Sequence, residues 1–163
     1  MAKALAVKYE ITTPVDTIVC LDGLEVMGAF LAEELAKEGV LSMNAHKTIY
    51  IVPAEFNSSG QMMFRDNLQP MIKGKNVVVL IGSITTGVTL QKAIESILYY
   101  GGTVNGISAV FSAVTKVAGM DINAVFYKSD VPNYESYKVK DCPACRRREK
   151  VDAIVNSFGY SEL

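Results

Sequence analysis

The sequence lacks a long hydrophobic run, a surplus of either charge and an even number of cysteines. A membrane-spanning helix needs about 20 apolar residues, whereas the apolar runs here are short, as at residues 77–81, so we expect no such helix. Residues 1–8 contain no long apolar segment, so we expect no signal peptide. The formal net charge of −1 does not favour binding to nucleic acid or to an anionic membrane. Three cysteines argue against a disulfide framework and indicate a reducing, cytoplasmic setting.

Short apolar runs alternate with helical patterns along the 163 residues. The runs lie at residues 17–21, 48–52, 76–81, 104–111 and 124–127. Most are apolar throughout, as expected of strands that are buried on both faces of a parallel sheet. The pattern predicts one α/β domain, with a doubly wound, mostly parallel sheet and helices on both of its faces. Residues 128–163 are interpreted as a C-terminal extension of this single domain.

Three helices are predicted, at residues 25–37, 89–100 and 147–157, because apolar residues recur there at helical spacing and a glycine follows each segment. Their inward-facing side chains are predicted to be Val26, Met27, Phe30, Leu31 and Leu35, then Leu90, Ile94, Ile97 and Leu98, and finally Val151, Ile154, Val155 and Phe158. Residues 53–75 are the least regular stretch and are predicted to form a mobile loop with one short helix.

Residues 77–90 are the most informative stretch, because an apolar strand runs into a hydroxyl-rich turn that contains a glycine, and a helix follows. The first turn of a helix has unpaired N–H groups and the positive end of the dipole, so it binds a phosphate without needing a cation. A glycine there lets the backbone approach a ligand closely. The candidate phosphate-binding residues are Ser83, Thr85, Thr86, Gly87, Val88 and Thr89. The alternative is a helix capped by threonine, with no ligand.

The strand at residues 77–80 and the turn at residues 84–89 resemble the phosphate-binding motif of the type I phosphoribosyltransferases, and the layout of residues 16–111 is similar as well. Within that family, the orotate phosphoribosyltransferases look most similar. The resemblance implies a homodimeric, Mg2+-dependent transferase of nucleotide metabolism, in pyrimidine biosynthesis. Such a protein would bind the 5′-phosphate of phosphoribosyl pyrophosphate on residues 85–89. The pyrophosphate would lie on a loop formed by Leu21, Asp22, Gly23, Leu24 and Glu25. A mobile loop would close over the substrate, with the residues Asn57, Ser58, Ser59, Gly60 and Arg65.

The sequence departs from the family motif at Ile81 and Gly82, where the family has two acidic residues. Those carboxylates hold the ribose hydroxyls and help to balance charge as the bond to pyrophosphate breaks. The basic pair that orotate enzymes carry after the second strand is also replaced, near Val52 and Pro53. The catalytic residues are therefore unknown, and two functions stay open: a transferase, and a non-catalytic module that binds or senses a nucleotide. Aspartates at positions 81 and 82 are expected to raise the preference for phosphoribosyl ligands.

Charged residues near the expected pyrophosphate have two interpretations each. A Mg2+ ion between the pyrophosphate and the carboxylates of Asp22 and Glu25 would turn repulsion into attraction. Alternatively, Glu25 only begins a helix and Asp22 only forms a turn. Basic side chains for the pyrophosphate would come from Arg65, Lys73 or Lys47, each of which is otherwise a solvated surface charge.

The loop segment around residues 62–66 bears on the oligomeric state. The apolar residues Met62, Met63 and Phe64 indicate a dimer interface, because apolar patches on loops often mark interfaces. Arg65 is expected to contact the substrate as part of a lid, or to pair with Asp66 or with a dimer partner.

The sequence Cys142-Pro143-Ala144-Cys145 is a knuckle of the kind found in zinc sites. A tetrahedral site needs four ligands, but Cys20 lies in a predicted buried strand and His46, the only histidine, is expected to be an ordinary loop residue. Cys142 and Cys145 are therefore a zinc half-site completed by a second subunit, a redox pair, or two ordinary thiols in a turn. Arginines at residues 146–148 would lower the pKa values of these thiols.

Aromatic residues at positions 126–127 and 134–137 lie between the last predicted strand and the cysteine pair. In the family that the chain resembles, a variable hood grips the base. These aromatic side chains would stack on such a base or pack against the core.

Overall fold

The computed structural model describes residues 1–9, 13–37, 43–137, 139–156 and 159–163. The chain divides into two compact units, Met1–Val131 and Pro132–Leu163. Among the described residues, no helix has both the length and the apolar character needed to cross a membrane.

Helices and strands alternate along the first unit. Its elements are α1 (Ala2–Ala6), β1 (Thr17–Cys20), α2 (Glu25–Ala36), β2 (Tyr50–Pro53), β3 (Glu55–Phe56), β4 (Met62–Met63), a 3-10 helix (Gln69–Met71), β5 (Asn76–Ile84), α3 (Val88–Tyr99), β6 (Thr103–Ser112), β7 (Lys116–Val117), β8 (Met120–Tyr127) and a second 3-10 helix (Lys128–Asp130). The five predicted apolar runs all fall on strands, and α3 lies within one residue of its predicted ends.

Six strands form the central sheet in the order β2-β1-β5-β6-β8-β7. The pairings of β1 with β2 and β5, of β5 with β6, and of β6 with β8 are parallel, whereas β7 pairs with β8 antiparallel. The predicted α/β fold with a mostly parallel sheet is therefore confirmed. Because the parallel strands run in one direction, the segments that follow β1, β2, β5 and β6 leave the sheet at the same edge, which is where open α/β sheets bind ligands.

The side chains on the two faces of the central strand β5 explain why helices cover both sides of the sheet. Val77, Val79 and Ile81 pack in one buried cluster with the α3 residues Leu90 and Ile97. Val78 and Leu80 point the other way and pack with residues of α1 and α2, such as Leu5 and Leu31. Successive side chains of a strand point to opposite faces, so a strand that is apolar at every position holds helices against both sides of the sheet.

The buried face of α2 differs from the predicted one. Leu31 and Leu35 are buried, but Val26 and Phe30 are 72% and 58% exposed. The reason is Gly28, where an added Cβ would lie 2.5 Å from the Sγ atom of Cys20. The helix presses its glycine onto β1, and this contact rotates Val26 and Phe30 towards solvent. In α3 the prediction is correct for Leu90, Ile94 and Ile97, whereas Leu98 is exposed.

The irregular stretch after β2 contains the expected single short helix, at Gln69–Met71, together with a two-stranded hairpin of β3 and β4. The predicted apolar interface patch is wrong. Met62 and Phe64 are only 2% and 3% exposed and belong to the core cluster that also contains Leu90 of α3. Met62 of β4 and Phe64, the residue just after this strand, are two positions apart, and side chains at that spacing in an extended segment point the same way, here inward.

The second unit is built differently from the prediction. It contains a 3-10 helix (Val139–Asp141), α4 (Pro143–Arg146), β9 (Ala153–Asn156) and β10 (Gly159–Glu162). The predicted helix at residues 147–157 is wrong, because β9 pairs antiparallel with β10 in its place. Val151, Ile154 and Val155 are exposed rather than buried, and Phe158 lies outside the described residues.

Candidate functional site

The turn between β5 and α3 has the geometry of an anion site. Gly87 is the N-cap of α3, with φ 81° and ψ 2°. A glycine has no side chain with which to cap the first turn, so the alternative of a threonine N-cap is wrong. The first N–H groups of α3 have no partner within the helix, and α3 is 12 residues long, which gives it a substantial dipole.

A small cavity of about 50 Å3 lies against this turn. It is lined by Ile81, Ser83 and residues 84–90. Ser83, Thr85, Thr86 and Thr89 are exposed, so their hydroxyl groups are accessible. Ile84 and Leu90 are buried and anchor the two ends of the turn in the core.

Gly87 has a structural role that the sequence did not reveal. A Cβ added to this residue would lie 2.5 Å from the Cγ2 atom of Val117, and its φ is positive. The space beside the Gly87 Cα is therefore filled by Val117, next to the β7–β8 turn, rather than left open for a ligand. Glycine is required here both by the backbone conformation and by packing.

The loop after β1 lies beside the end of β5. The N–H group of Leu21 donates to the carbonyl oxygen of Leu80 at 2.8 Å and so continues the pairing of the two strands. Asp22 and Gly23 follow with φ values of 57° and 73°. Leu24 is the N-cap of α2 and Glu25 its first residue, a position where the helix dipole favours an acidic side chain.

The carboxylate of Asp22 reaches across to β5. Its Oδ2 atom accepts a hydrogen bond from the N–H group of Gly82 at 3.1 Å. A Cβ added to Gly82 would lie 3.2 Å from that same oxygen. The neighbouring residue, Ile81, is 3% exposed and packs in the core. The positions of the missing acidic pair are thus occupied by a core side chain and by a glycine that contacts Asp22.

The segment predicted to close over the substrate forms a hydrogen-bonded turn. The Oδ1 atom of Asn57 accepts hydrogen bonds from the N–H and hydroxyl groups of Ser59, at 3.0 and 2.7 Å, and from the N–H group of Gln61, at 2.9 Å. The carbonyl oxygen of Gly60 accepts one from Lys92 of α3, at 3.3 Å. Lys92 is three residues beyond Thr89, so the tip of the hairpin contacts α3 through a side chain that begins about one helical turn beyond the candidate phosphate site.

Arg65 is paired within its own hairpin. Its guanidinium group binds the carboxylate of Glu55 through two hydrogen bonds, one of them from Nε to Oε2 at 2.7 Å. This contact lowers the pKa of Glu55. The partner is thus Glu55 of β3 rather than Asp66.

Lys47 and Lys73, two basic residues considered for binding pyrophosphate, lie at the amino ends of the strands, away from the turn between β5 and α3. Burial raises the pKa of Asp16, but hydrogen bonds from Asn76 together with the charges of Lys47 and Lys75 outweigh it and lower the pKa. Asp16 precedes β1, so Lys47 acts at the amino ends of the strands. Lys73 packs against Gly101, just before β6. Neither lysine is near the turn between β5 and α3.

The cysteine pair of the second unit is closely spaced. The Sγ atom of Cys142 accepts a hydrogen bond from the N–H group of Cys145 at 3.5 Å, and this bond lowers the pKa of Cys142. The hydrogen bond between the two side chains, in turn, raises the pKa of Cys145. Within the described part of the chain, no three His, Cys, Asp or Glu side chains come together to hold a metal ion, so zinc ligands from a second chain remain a prediction. Burial raises the pKa of Cys20 to about 12, as expected for a thiol that is not a ligand.

The aromatic candidates differ in accessibility. The hydroxyl group of Tyr127 donates to the carbonyl oxygen of Ile122 at 2.7 Å and accepts from the N–H group of Ala124 at 3.1 Å, so this side chain belongs to its own strand. Phe126 is 48% exposed near the carboxyl end of β8. Tyr137 is exposed and bonded to Glu135.

Comparison with known proteins identifies the fold. No protein-family model and no curated protein sequence matches the chain. Among solved structures, an adenine phosphoribosyltransferase from Thermoanaerobacter pseudethanolicus is 16% identical with a TM-score of 0.56, and the match covers 77% of each chain. A hypoxanthine-guanine phosphoribosyltransferase from Bacillus anthracis is also 16% identical with a TM-score of 0.56, over 81% of this chain and 77% of the other. A protein from Neisseria gonorrhoeae with bound ppGpp is 19% identical with a TM-score of 0.50, over 81% and 84%.

These likenesses agree with the motif at residues 77–89 and with the parallel sheet. The chain has the fold of the type I phosphoribosyltransferases.

Proposed function

We propose that the protein is a phosphoribosyltransferase-like protein that binds a phosphoribosyl compound or a nucleoside monophosphate, with the 5′-phosphate on residues 85–89. The observation that carries this proposal is the turn itself. A glycine N-cap opens a 12-residue helix beside a small cavity, at the carboxyl end of a central parallel strand. Exposed Thr85, Thr86 and Thr89 add hydroxyl donors to the N–H groups.

Two further segments complete the proposed site. Leu21, Asp22, Gly23, Leu24 and Glu25 form the side that faces pyrophosphate, and the turn at residues 57–60 closes over the ligand. The support is the placement of the first segment at the same edge of the sheet and the contact of the second with Lys92. Arg65 would need to leave Glu55 before it could reach a ligand.

Mg2+ is part of the proposal by resemblance, and an exposed carboxylate is a ligand that suits it. In the described residues no cluster of three potential ligands exists, but the carboxylate of Asp22 is exposed at the site. Mg2+ often keeps several waters and is held by one or two carboxylates together with substrate phosphates. The site therefore fits an ion that arrives with a pyrophosphate-bearing ligand, whose charge it would neutralise.

Two functions fit this site, and different observations favour each. The shared fold supports transfer, with orotate as the nearest substrate by sequence motif and purines as those named for the similar structures. The loss of both acids, with Ile81 in the core, supports a binding or sensing module. The similar Neisseria gonorrhoeae protein with bound ppGpp makes a phosphorylated nucleotide a reasonable ligand for such a module.

One experiment separates the two functions. The protein is incubated with Mg2+, pyrophosphate and each of orotidine, adenosine, inosine and guanosine monophosphates, and release of the base is followed. Base release identifies a transferase and its substrate. Calorimetric binding of these nucleotides or of ppGpp without base release identifies a binding module.

Two variants test whether the ligand binds at the turn between β5 and α3, whichever function is found. Thr86→Val removes one exposed hydroxyl, and affinity should fall about tenfold or more if that group donates to a charged phosphate. Thr103→Val, which removes an exposed hydroxyl at the amino end of β6, is the control and should leave affinity unchanged. Absence of both turnover and binding in the native protein would refute the proposed function.

A homodimer in a reducing, cytoplasmic setting is also proposed. Because Met62 and Phe64 are buried, the dimer interface is proposed instead at the exposed apolar residues Val26 and Phe30 of α2. These residues line a cavity of about 590 Å3 together with Lys3 and Glu34. In a two-fold interface the same patch meets itself, so Lys3 of each chain can face Glu34 of the other.

A further inference from the structure

The carboxylate of Asp22 is exposed and held in place at the end of the central strand. The pairing of β1 with β5 ends at Cys20 and Leu80, and the N–H group of Leu21 extends it by one hydrogen bond. The next contact is made by a side chain, since Oδ2 of Asp22 accepts from the N–H group of Gly82 at 3.1 Å. The φ of Asp22 is 57°, a left-handed conformation that aspartate and asparagine tolerate better than most residues.

Gly82 leaves room for this carboxylate. A Cβ added at position 82 would lie 3.2 Å from Oδ2 of Asp22, 3.6 Å from its Cβ and 3.8 Å from its Cγ. A longer side chain at position 82 would have to share this space with the carboxylate. The two residues therefore fit one another, although 60 positions of sequence separate them. The carboxylate of Asp22 therefore lies beside the position that a side chain at residue 82 would otherwise occupy.

The carboxylate retains most of its hydrogen-bonding capacity. An ionised carboxylate has about four acceptor sites, and among the described residues the N–H group of Gly82 is the one donor bonded to Asp22. The free acceptors favour a ligand group that donates hydrogen bonds. Phosphate oxygens do not donate and, without a cation between them, would be repelled by the charge, so hydroxyl groups are the fitting direct partners of the free acceptors.

The distance to the candidate phosphate site suits a sugar phosphate. Gly82 and Thr85 are three residues apart, which in a strand is about 10 Å. Ser83, between them, lines the cavity at the turn. A ligand with a phosphate at one end and hydroxyl groups at the other can therefore reach both the turn and Asp22.

We propose that Asp22 binds the ribose hydroxyl groups of the ligand, in the place of the acids that positions 81 and 82 lack. This inference rests on the proposed function, because it takes the turn at residues 85–89 as the phosphate site. It names Asp22 as the residue that distinguishes a phosphoribosyl ligand from a simple phosphate.

The test measures the coupling between one carboxylate and one hydroxyl. Calorimetry compares inorganic phosphate, ribose 5-phosphate and 2-deoxyribose 5-phosphate on the native protein, on Asp22→Asn and on Asp22→Ser. Asn keeps an acceptor for the N–H group of Gly82 and tolerates the left-handed backbone. Glu33→Gln, which neutralises an exposed carboxylate of α2, is the control, and thermal melts establish that each variant is folded.

The native protein and Glu33→Gln should bind ribose 5-phosphate about 10- to 100-fold more tightly than phosphate, as expected for hydrogen bonds to a charged group. They should bind the deoxy sugar more weakly than the ribose. Both differences should shrink at least tenfold in the Asp22 variants, while affinity for phosphate stays the same or rises because a negative charge is removed.

Three results would overturn the inference. Native protein that binds ribose 5-phosphate no better than phosphate, or no better than the deoxy sugar, refutes it even if no variant folds. Asp22→Asn with undiminished preference refutes it as well and assigns the sugar to another residue. In these cases phosphate binding persists and the proposed function stands, whereas native protein that binds none of the three ligands refutes both.

Discussion

Gly87 is the residue whose substitution tests the geometry of the turn most directly. Alanine at this position would have to adopt a φ of 81°, which costs about 1–2 kcal/mol for a residue with a Cβ. Its Cβ would also lie 2.5 Å from the Cγ2 atom of Val117, and overpacking of a core costs about 1–3 kcal/mol. Gly87→Ala should therefore lower the free energy of unfolding by about 2–5 kcal/mol.

Gly119 provides a matched control. Its φ is 79°, but an added Cβ would meet nothing within 4 Å. Gly119→Ala should therefore show the backbone term alone, about 1–2 kcal/mol. The difference between the two variants in urea unfolding measures the contact with Val117.

A double-mutant cycle isolates the same contact. Val117→Ala removes the Cγ atoms that alanine at position 87 would strike, so the double variant should lose less stability than the sum of the single variants, by about 1–3 kcal/mol. If Gly87→Ala is no more destabilising than Gly119→Ala, and the cycle shows no coupling, then Gly87 is not packed as described and the geometry assigned to the turn is wrong.

Four other predictions concern the thiols and the oligomeric state. At pH 8, alkylation followed by mass spectrometry should modify Cys142 and Cys145 in the native protein and Cys20 only in urea, because burial raises the pKa of Cys20 to about 12; a third native adduct would contradict this. The pKa of Cys20 in the folded protein lies above its ordinary value of 9.0. The neutral Cys20 thiol therefore contributes fully to the free energy of unfolding below pH 9, and this contribution should be lost as the pH rises towards 12. Cys20→Ala should reduce this pH dependence. Protein purified without chelator should lose any bound zinc in the Cys142→Ser, Cys145→Ser double variant, and unchanged zinc content would exclude the pair as ligands. By light scattering the native protein should be a dimer and Phe30→Glu a monomer, whereas Tyr99→Glu, at an exposed position of α3, should remain dimeric; a monomeric native protein would refute the proposed assembly.

The sheet could be predicted because its strands carry a strong local signal. Residues 76–81 are almost entirely apolar, as is typical of a parallel strand that is buried between two helical layers. The turn at residues 84–89 and the amphipathic pattern of α3 are also local, so their bounds follow from nearby residues. The fold therefore follows from β5 and its two neighbours, even though no similar structure reported above exceeds 19% identity.

Other features depend on contacts that local patterns do not contain. In α2 the apolar residues suggest one buried face, but the close approach of Gly28 to Cys20 selects another. Apolar residues at positions 151, 154 and 155 have helical spacing, yet the same few residues also suit a strand, and pairing with β10 selects the strand. Short apolar runs permit both structures.

The two positions of the missing acidic pair show how a motif and a fold constrain a residue differently. Along the sequence, Ile81 and Gly82 look like two vacancies that aspartates would fill. In the strand they face opposite ways: Ile81 lies in the core with Val79, where an unpaired carboxylate is strongly destabilising. An aspartate at position 82 would bring a second negative charge to within a few ångströms of Asp22, and the two would repel each other. The expectation that aspartates at both positions improve sugar binding is therefore not supported by the structure, because one of them enters the core and the other displaces the carboxylate that is already there.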